Sequence, residues 1–303
     1  QHQSIWLEEC ARMDVPPYVN MVGCVLAGQG VQIYGTDEQK SQHLQSIITA
    51  SELWCQLFSE PESGSDLGSL RTTAEADGEG WIVNGQKVWC SGGRYSNWGI
   101  LMARTDTSLP KHRGISFFLV DMQSQGIETR PLRQMTGDAE FDEVFFTDVA
   151  LPESALLGPI NGGWHVGMDI LTKERGSIGA GAITMQRRLD SLMSLADSEL
   201  DPHTRQKLVM LLTQGKSYHF LGQRQGPDAS VSSSLNKLGI TELMFDIANL
   251  RANIAGIEAL LDGSGSSSLL SAPGARIAGG TSQIQRNIIG ERILGLPKEP
   301  RPE

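Results

Sequence analysis

Leu57-Phe58-Ser59-Glu60-Pro61-Glu62-Ser63-Gly64-Ser65-Asp66, and then Trp81-Ile82-Val83-Asn84-Gly85-Gln86-Lys87-Val88-Trp89-Cys90-Ser91, form the stretch around which the chain is organised. The first part reads as a polar, glycine-bearing loop. The second predicts a β-hairpin that turns at Asn84-Gly85, because Asn-Gly between alternating apolar residues accepts the positive φ angles of a tight turn. Serines, amides and backbone groups crowd the loop, and Trp89 and Ser91 stand at the end of the predicted hairpin. Such a setting suits a planar ligand that is both stacked and hydrogen-bonded.

Outward from this stretch the chain changes character twice. Residues 1 to about 52 read as helical: Thr36-Asp37-Glu38-Gln39 is a capping box, and Leu44, Ile47 and Ile48 give an apolar face behind it. Residues 53 to about 152 read as β. Candidate strands at 99–104, 114–121 and 143–146 are dense in Val, Ile and Phe and separated by Gly, Pro, Asp and Lys, a spacing that suggests a small barrel or sandwich. Residues 153–303 read as helical again. Gly162-Gly163 precedes a long amphipathic run through Trp164, Met168, Leu171, Ile178 and Ile183. Asp201-Pro202 starts another helix, and Gly226-Pro227 breaks the chain before a third. The serine-rich stretch 263–268 reads as a flexible loop. A Ser-x-x-Gln capping box, Ser282 to Gln285, opens the last helix. The predicted class is α+β, divided into a partial helical domain (1–52), a central β domain (53–152) and a helical domain (153–303).

Composition excludes several functions. The chain has 303 residues and a net charge of −10, with no basic stripe to follow a phosphate backbone, so it does not read as a nucleic-acid binder. Its apolar runs fall short of the roughly 18 residues of a membrane span. Four scattered cysteines without a CxxC spacing predict a reduced, cytoplasmic protein, and six histidines without ligand spacing predict no metal site.

One acid stands out. On a helix through residue 174, Ile170, Leu171 and Ile178 lie at i−4, i−3 and i+4 to Glu174. A carboxylate on that stripe is partly desolvated and its pKa rises, which suits a general base; the plain alternative is a helix acid paired with an arginine. The nearby run Gly176-Ser177-Ile178-Gly179-Ala180-Gly181 has the wrong order for a dinucleotide fingerprint and instead suits close helix packing.

LFSEPESGSDLGSL (57–70), VNGQKVWCSGG (83–93) and NWGILMARTD (97–106) together resemble the central β domain of acyl-CoA dehydrogenases, and IAGGTSQIQRNIIGERILGLP (277–297) resembles that family's last helix. The resemblance runs from about Val31 to Pro297 and is weakest between Leu195 and Pro227. It implies a three-part subunit of helices, β domain and helices. Because the family begins with a longer helical domain, it also implies that the N-terminal part is incomplete.

The activity implied is FAD-dependent α,β-dehydrogenation of an acyl-CoA thioester, with electrons passed to an electron-transfer flavoprotein. Many members carry the base one residue before Gly-Thr in the C-terminal motif, where this chain has Gly279. A smaller set places it before the arginine of the earlier helix, which Glu174-Arg175 matches. Glu174 is thus the implied base, with Arg175 and Leu171 shaping the substrate site. Leu57, Phe58 and Ser59 would hold the flavin edge, Trp89 would lie against its ring, and Ser91 would bond near N5. Thr281 and Gln283 would meet the flavin or its phosphates, Ser65 the pantetheine arm, and the Gly279 N–H the thioester carbonyl. For Trp89 the plain alternative is core packing, and for Ser91 a hairpin-end hydroxyl.

Two departures stand against the common pattern. The Arg-x-x-Phe-Gly segment that binds a neighbouring subunit's FAD is replaced by Ser194-Leu195-Ala196-Asp197-Ser198-Glu199, and the segment near 255–261 lacks its Gly-Gly pair. Both are similar to actinobacterial enzymes acting on steroid side-chain CoA thioesters, some of them assemblies of unlike subunits, so a bulky acyl group and a homo- or hetero-oligomer (dimer or tetramer) are expected. The alternatives are a non-catalytic scaffold subunit and an acyl-CoA oxidase. The oxidase reading is the weaker, since oxidases usually carry an extra C-terminal domain.

Overall fold

The computed structural model describes residues 6, 9–10, 13, 15–16, 18–176, 179–195, 200–223, 229–261 and 263–298. The chain divides into two units, one spanning Pro17–Glu174 and the other Arg175–Glu303 with Gln1–Pro16.

The first unit is built on a seven-stranded sheet. Its strands are β1 (Trp54–Leu57), β2 (Thr73–Asp77), β3 (Gly80–Ser91), β4 (Trp98–Arg104), β5 (Ile115–Asp121), β6 (Ile127–Leu132) and β7 (Phe141–Pro152). β4 pairs parallel with β1 and antiparallel with β5, and touches β2 at Thr73–Arg104. β2, β3, β7 and β6 follow as an antiparallel run. The expected strands at 99–104 and 143–146 lie within β4 and β7, and that at 114–121 is β5 except for Gly114.

The sheet curls round one core and carries a second on its outer face. Alternation along β4 shows how: Leu101 and Ala103 point inward with Leu57, Val83, Phe118 and Val144, whereas Ile100 and Met102 point outward with Phe117 and Leu119. Helices cover the outer face. They are α1 (Gly28–Tyr34), α2 (Asp37–Thr49) and the start of α3 (Gly163–Gly176), which contribute Val31, Ile47, Val166 and Ile170. The expected capping box is present: the Gln39 N–H donates to the Thr36 hydroxyl at 3.2 Å and the Thr36 N–H donates to Gln39 Oε1 at 3.0 Å.

The hairpin expected at Asn84-Gly85 is not there. β3 runs straight through these residues, because both of its edges find partners: Asn84 pairs with Thr73 of β2, and the flanking Val83 and Gly85 pair with Val149 and Phe146 of β7. Asn84 and Asp148 bond to each other across the resulting bulge. Gly85 has φ +149°, and a Cβ there would sit 2.7 Å from Thr72 Cα, so the glycine serves a close backbone approach and not a turn. The real turn is Asp77-Gly78-Glu79-Gly80, with Gly78 at φ +59°.

The second unit is helical: α4 (Gly179–Leu195), α5 (Pro202–Gln223), α6 (Ala229–Ala255), α7 (Ser264–Ile277) and α8 (Ser282–Ile288). Leu189, Leu192, Leu211, Leu243 and Ile247 form its core. Asp201 Oδ1 accepts from the N–H groups of His203 and Thr204, which starts α5 where Asp-Pro predicts it. Residues 263–268 are not a loop: from Ser264 onward they are the first turn of α7, and Ser266 bonds with the Gly263 backbone there. Gly226-Pro227, Ser177-Ile178 and 196–199 lie outside the described residues.

Candidate functional site

In the first unit the site residues stand at the end of β1 and along β3. Leu57 is fully buried in the inner core, and Phe58 is buried on the outer face with its ring 5.6 Å from that of Phe117. Both side chains are committed to packing, which leaves their main chain for a ligand. That main chain is tied to β3: the Val88 N–H donates to the Ser59 carbonyl at 2.8 Å, and Lys87 Nζ donates to the Phe58 carbonyl at 3.0 Å.

Trp89 follows directly. The β3–β7 register shifts between Lys87 and Cys90, and at this bulge Trp89 takes φ +61°, uncommon for a bulky residue. Val88 and Cys90 are buried on either side, while Trp89 is turned out, 57% exposed, with the edge of Phe141 5.8 Å from its ring. Core packing therefore does not account for it. Ser91, exposed, pairs with the same Phe141 in the ladder. The fold thus brings Leu57, Phe58, Ser59, Trp89 and Ser91 onto one bonded piece of sheet. An outward indole, a hydroxyl and strand-end backbone fit a planar ring system.

Ser65 is exposed further along the loop, beside Asp66, which Lys111 and Ser69 hold. Leu171 is half-buried against the outer core on α3, and Glu174 follows one turn later on the same helix. Glu174 closes the first unit and Arg175 opens the second.

In the second unit Gly279, Gly280, Thr281 and Gln283 form a single loop and helix start. Gly279 and Gly280 have φ +64° and +93°. Thr281, and not Ser282 as the sequence pattern predicts, is the N-cap, accepting from the Ile284 N–H at 3.2 Å. Ser282 is buried and donates to Glu242 at 2.6 Å, so its hydroxyl is committed to another helix. Gln283 is exposed in the first turn. The segment 255–261 forms a short helical turn from which Ile257, Leu260 and Leu261 project.

Sequence reasoning missed the polar groups that shape these loops: buried Glu60, Lys87, Lys237 and Gln285, and partly buried Glu242. Glu60 accepts from the N–H groups of Arg71 and Thr72 and from Lys87 Nζ. Burial raises its carboxyl, but the Lys87 ammonium and these hydrogen bonds outweigh burial and hold it below the ordinary value. Lys237 and Gln285 bond to the glycine loop, and Glu242 to its flanks. Burial opposes ionisation of Glu242 too, and is outweighed by the Ser282 hydroxyl and the guanidinium groups of Arg276 and Arg286, so its carboxyl is also lowered. A lysine at an inward strand position, as at Lys87, was the one available sign.

Comparison with known proteins follows the same division. Residues 55–149 match the acyl-CoA dehydrogenase middle domain and residues 161–294 the acyl-CoA dehydrogenase C-terminal domain. The chain is 37% identical to the acyl-CoA dehydrogenase IpdE1 of Mycobacterium tuberculosis, over 99% of this chain and 81% of that protein. It is 39% identical to acyl-CoA dehydrogenase FadE34 of the same organism, over 88% of this chain and 38% of that protein. Among solved structures, the ChsE4-ChsE5 complex from Mycobacterium tuberculosis aligns with a TM-score of 0.84 at 28% identity, over 98% of this chain and 82% of that one.

Proposed function

Because this chain belongs to the acyl-CoA dehydrogenase family, we propose that it carries out FAD-dependent α,β-dehydrogenation of a bulky acyl-CoA thioester of the steroid side-chain type and passes the electrons to an electron-transfer flavoprotein. The observation that carries the proposal is Trp89, a large ring held outward at φ +61° next to Ser91, on the strand to which the Phe58–Ser59 backbone is bonded. The bulky-substrate reading rests on the departures at 194–199 and 255–261.

When bound, the flavin supplies the two-electron acceptor for the β-hydride. The protein's residues do the rest. The Glu174 carboxylate takes the α-proton as the Cα–H bond breaks, and the electron pair left behind forms the new double bond as the β-hydride departs. The Gly279 N–H donates to the thioester carbonyl, where negative charge develops. Trp89, Ser91 and the Leu57, Phe58 and Ser59 backbone would hold the flavin ring system, and Thr281 and Gln283 would bind the remainder of the cofactor. Leu171 and Arg175 shape the acyl pocket, and Ser65 contacts the pantetheine arm.

The test is the visible spectrum of the purified chain before and after an acyl-CoA is added without oxygen. Flavin bands that bleach, and fail to bleach in Glu174→Gln, support the proposal. Bleaching that persists in Glu174→Gln removes the base assignment. A second reading, a scaffold subunit beside an active partner, draws on the two-chain ChsE4-ChsE5 structure. A colourless protein that binds flavin only with a partner chain would favour it.

A further inference from the structure

The glycine loop between α7 and α8 is held from one side by a single helix. Lys237 on α6 is 7% exposed, and its ammonium donates to the Gly280 carbonyl at 2.6 Å and to the Arg276 carbonyl, in the last turn of α7, at 3.4 Å. Five residues later on the same helix, Glu242 accepts from Ser282 at 2.6 Å and pairs with Arg276 at 2.9 Å and Arg286 at 3.7 Å. Gln285, fully buried, completes the set by donating from Nε2 to the Gly279 carbonyl at 3.2 Å.

The geometry has a consequence for the N–H groups. A trans peptide places its C=O and N–H on opposite sides. With the Gly279 and Gly280 carbonyls drawn onto Gln285 and Lys237, the N–H groups of Gly280 and Thr281 are turned the other way. Glycine supplies the positive φ that the arrangement needs at both positions. A buried ammonium is costly unless fully bonded, and a bonded one fixes its acceptors. Lys237 thus places a rigid reference point beneath a loop that carries two successive glycines of positive φ.

We propose that Lys237 is a positioning residue for the acyl-CoA thioester: by holding the Arg276 and Gly280 carbonyls, on either side of Gly279, it fixes the conformation of the loop that carries the Gly279 N–H. This rests on the reading of Gly279 as the thioester-carbonyl donor and extends it to a residue on another helix.

The experiment uses the full chain with Lys237→Met, which keeps the aliphatic stem, and Lys237→Arg, which keeps the donors. Hydrogen exchange over residues 277–285 and steady-state kinetics are both measured, the latter with octanoyl-CoA, isobutyryl-CoA and a steroid side-chain CoA thioester. Circular dichroism and flavin absorbance verify folding. In Lys237→Met, exchange in this segment is expected to rise about tenfold, with kcat falling about 100-fold and KM little changed, as for loss of one oxyanion donor. Lys237→Arg should recover part of both. Unchanged exchange in a folded Lys237→Met overturns the positioning role. Raised exchange with unchanged kcat overturns its use in catalysis. If the unaltered chain turns over none of the three thioesters, the functional reading fails, while the exchange result still decides whether Lys237 holds the loop.

Discussion

Lys87 Nζ lies 2.8 Å from Glu60 Oε1, with the lysine side chain fully enclosed and the glutamate 7% exposed. The same ammonium bonds to the Phe58 carbonyl. One ion pair therefore joins β3 to the loop after β1, and its carboxylate also accepts from the Arg71 and Thr72 N–H groups. Such a pair adds little over an apolar replacement but is costly to break from one side.

The first prediction follows. Lys87→Met leaves Glu60 ionised and buried, and should cost about 3–5 kcal/mol. The double variant Lys87→Met with Glu60→Leu should lose less than the two single changes added together. Urea denaturation followed by tryptophan fluorescence measures all three. A Lys87→Met chain as stable as the parent would show that the pair does not anchor the loop.

The second concerns acid. The Glu60 carboxyl is held below its ordinary value of 4.5 in the folded chain, so it adds stability that is present above that value and lost as pH falls through the lower, folded one. Unfolding free energy should therefore decline below about pH 4.5. The decline should be shallower in Glu60→Gln, even though that chain starts less stable. Equal slopes in the two chains would remove Glu60 as the source.

Trp89 gives the third. Its φ of +61° strains a bulky residue, by about 1–3 kcal/mol, and its ring is largely exposed, with Phe141 against one edge. Trp89→Gly relieves the backbone and sacrifices one edge contact worth about 1 kcal/mol. Thermal stability of the flavin-free chain should hold steady or rise, while flavin retained through purification should fall sharply. A drop in stability with flavin binding intact would make the indole a packing residue.

The fourth separates the paired glycines. At Gly279, φ is +64° and an added Cβ meets nothing, whereas at Gly280, φ is +93° and a Cβ would come within 2.8 Å of Gln285 Nε2. Gln285 is buried and bonded to the Gly279 carbonyl, so it has little room to withdraw. Gly279→Ala should cost about 1 kcal/mol, and Gly280→Ala about 3 kcal/mol, since it adds a clash to the strain. Equal losses in thermal denaturation would contradict the packing seen around Gln285.

Local signals were readable where the partners lie within a few residues. The Thr36–Gln39 box, the start of α5 at Asp201 and the aromatic and β-branched runs of β4 and β5 each depend on neighbours in sequence. Asn84-Gly85 misled because Asn-Gly specifies a turn only when nothing lies beside it, and here β2 and β7 flank it on both sides. The serines after Gly263 also misled: serine disfavours helix interiors weakly, and Ser266 at the helix start offsets that by bonding to the Gly263 backbone.

The sequence by itself determined the class, the family and the residue types of the site, because motifs such as 57–70, 83–93 and 277–297 are contiguous and their side chains can be named without knowing what they touch. Only the tertiary structure decided that Trp89 faces outward, that Glu60 is held by Lys87, and that Lys237 and Gln285 grip the glycine loop. The bonds of Lys87, Lys237 and Gln285 reach partners between 6 and 43 residues away. A buried charge or a positive φ survives only where such distant groups enclose it.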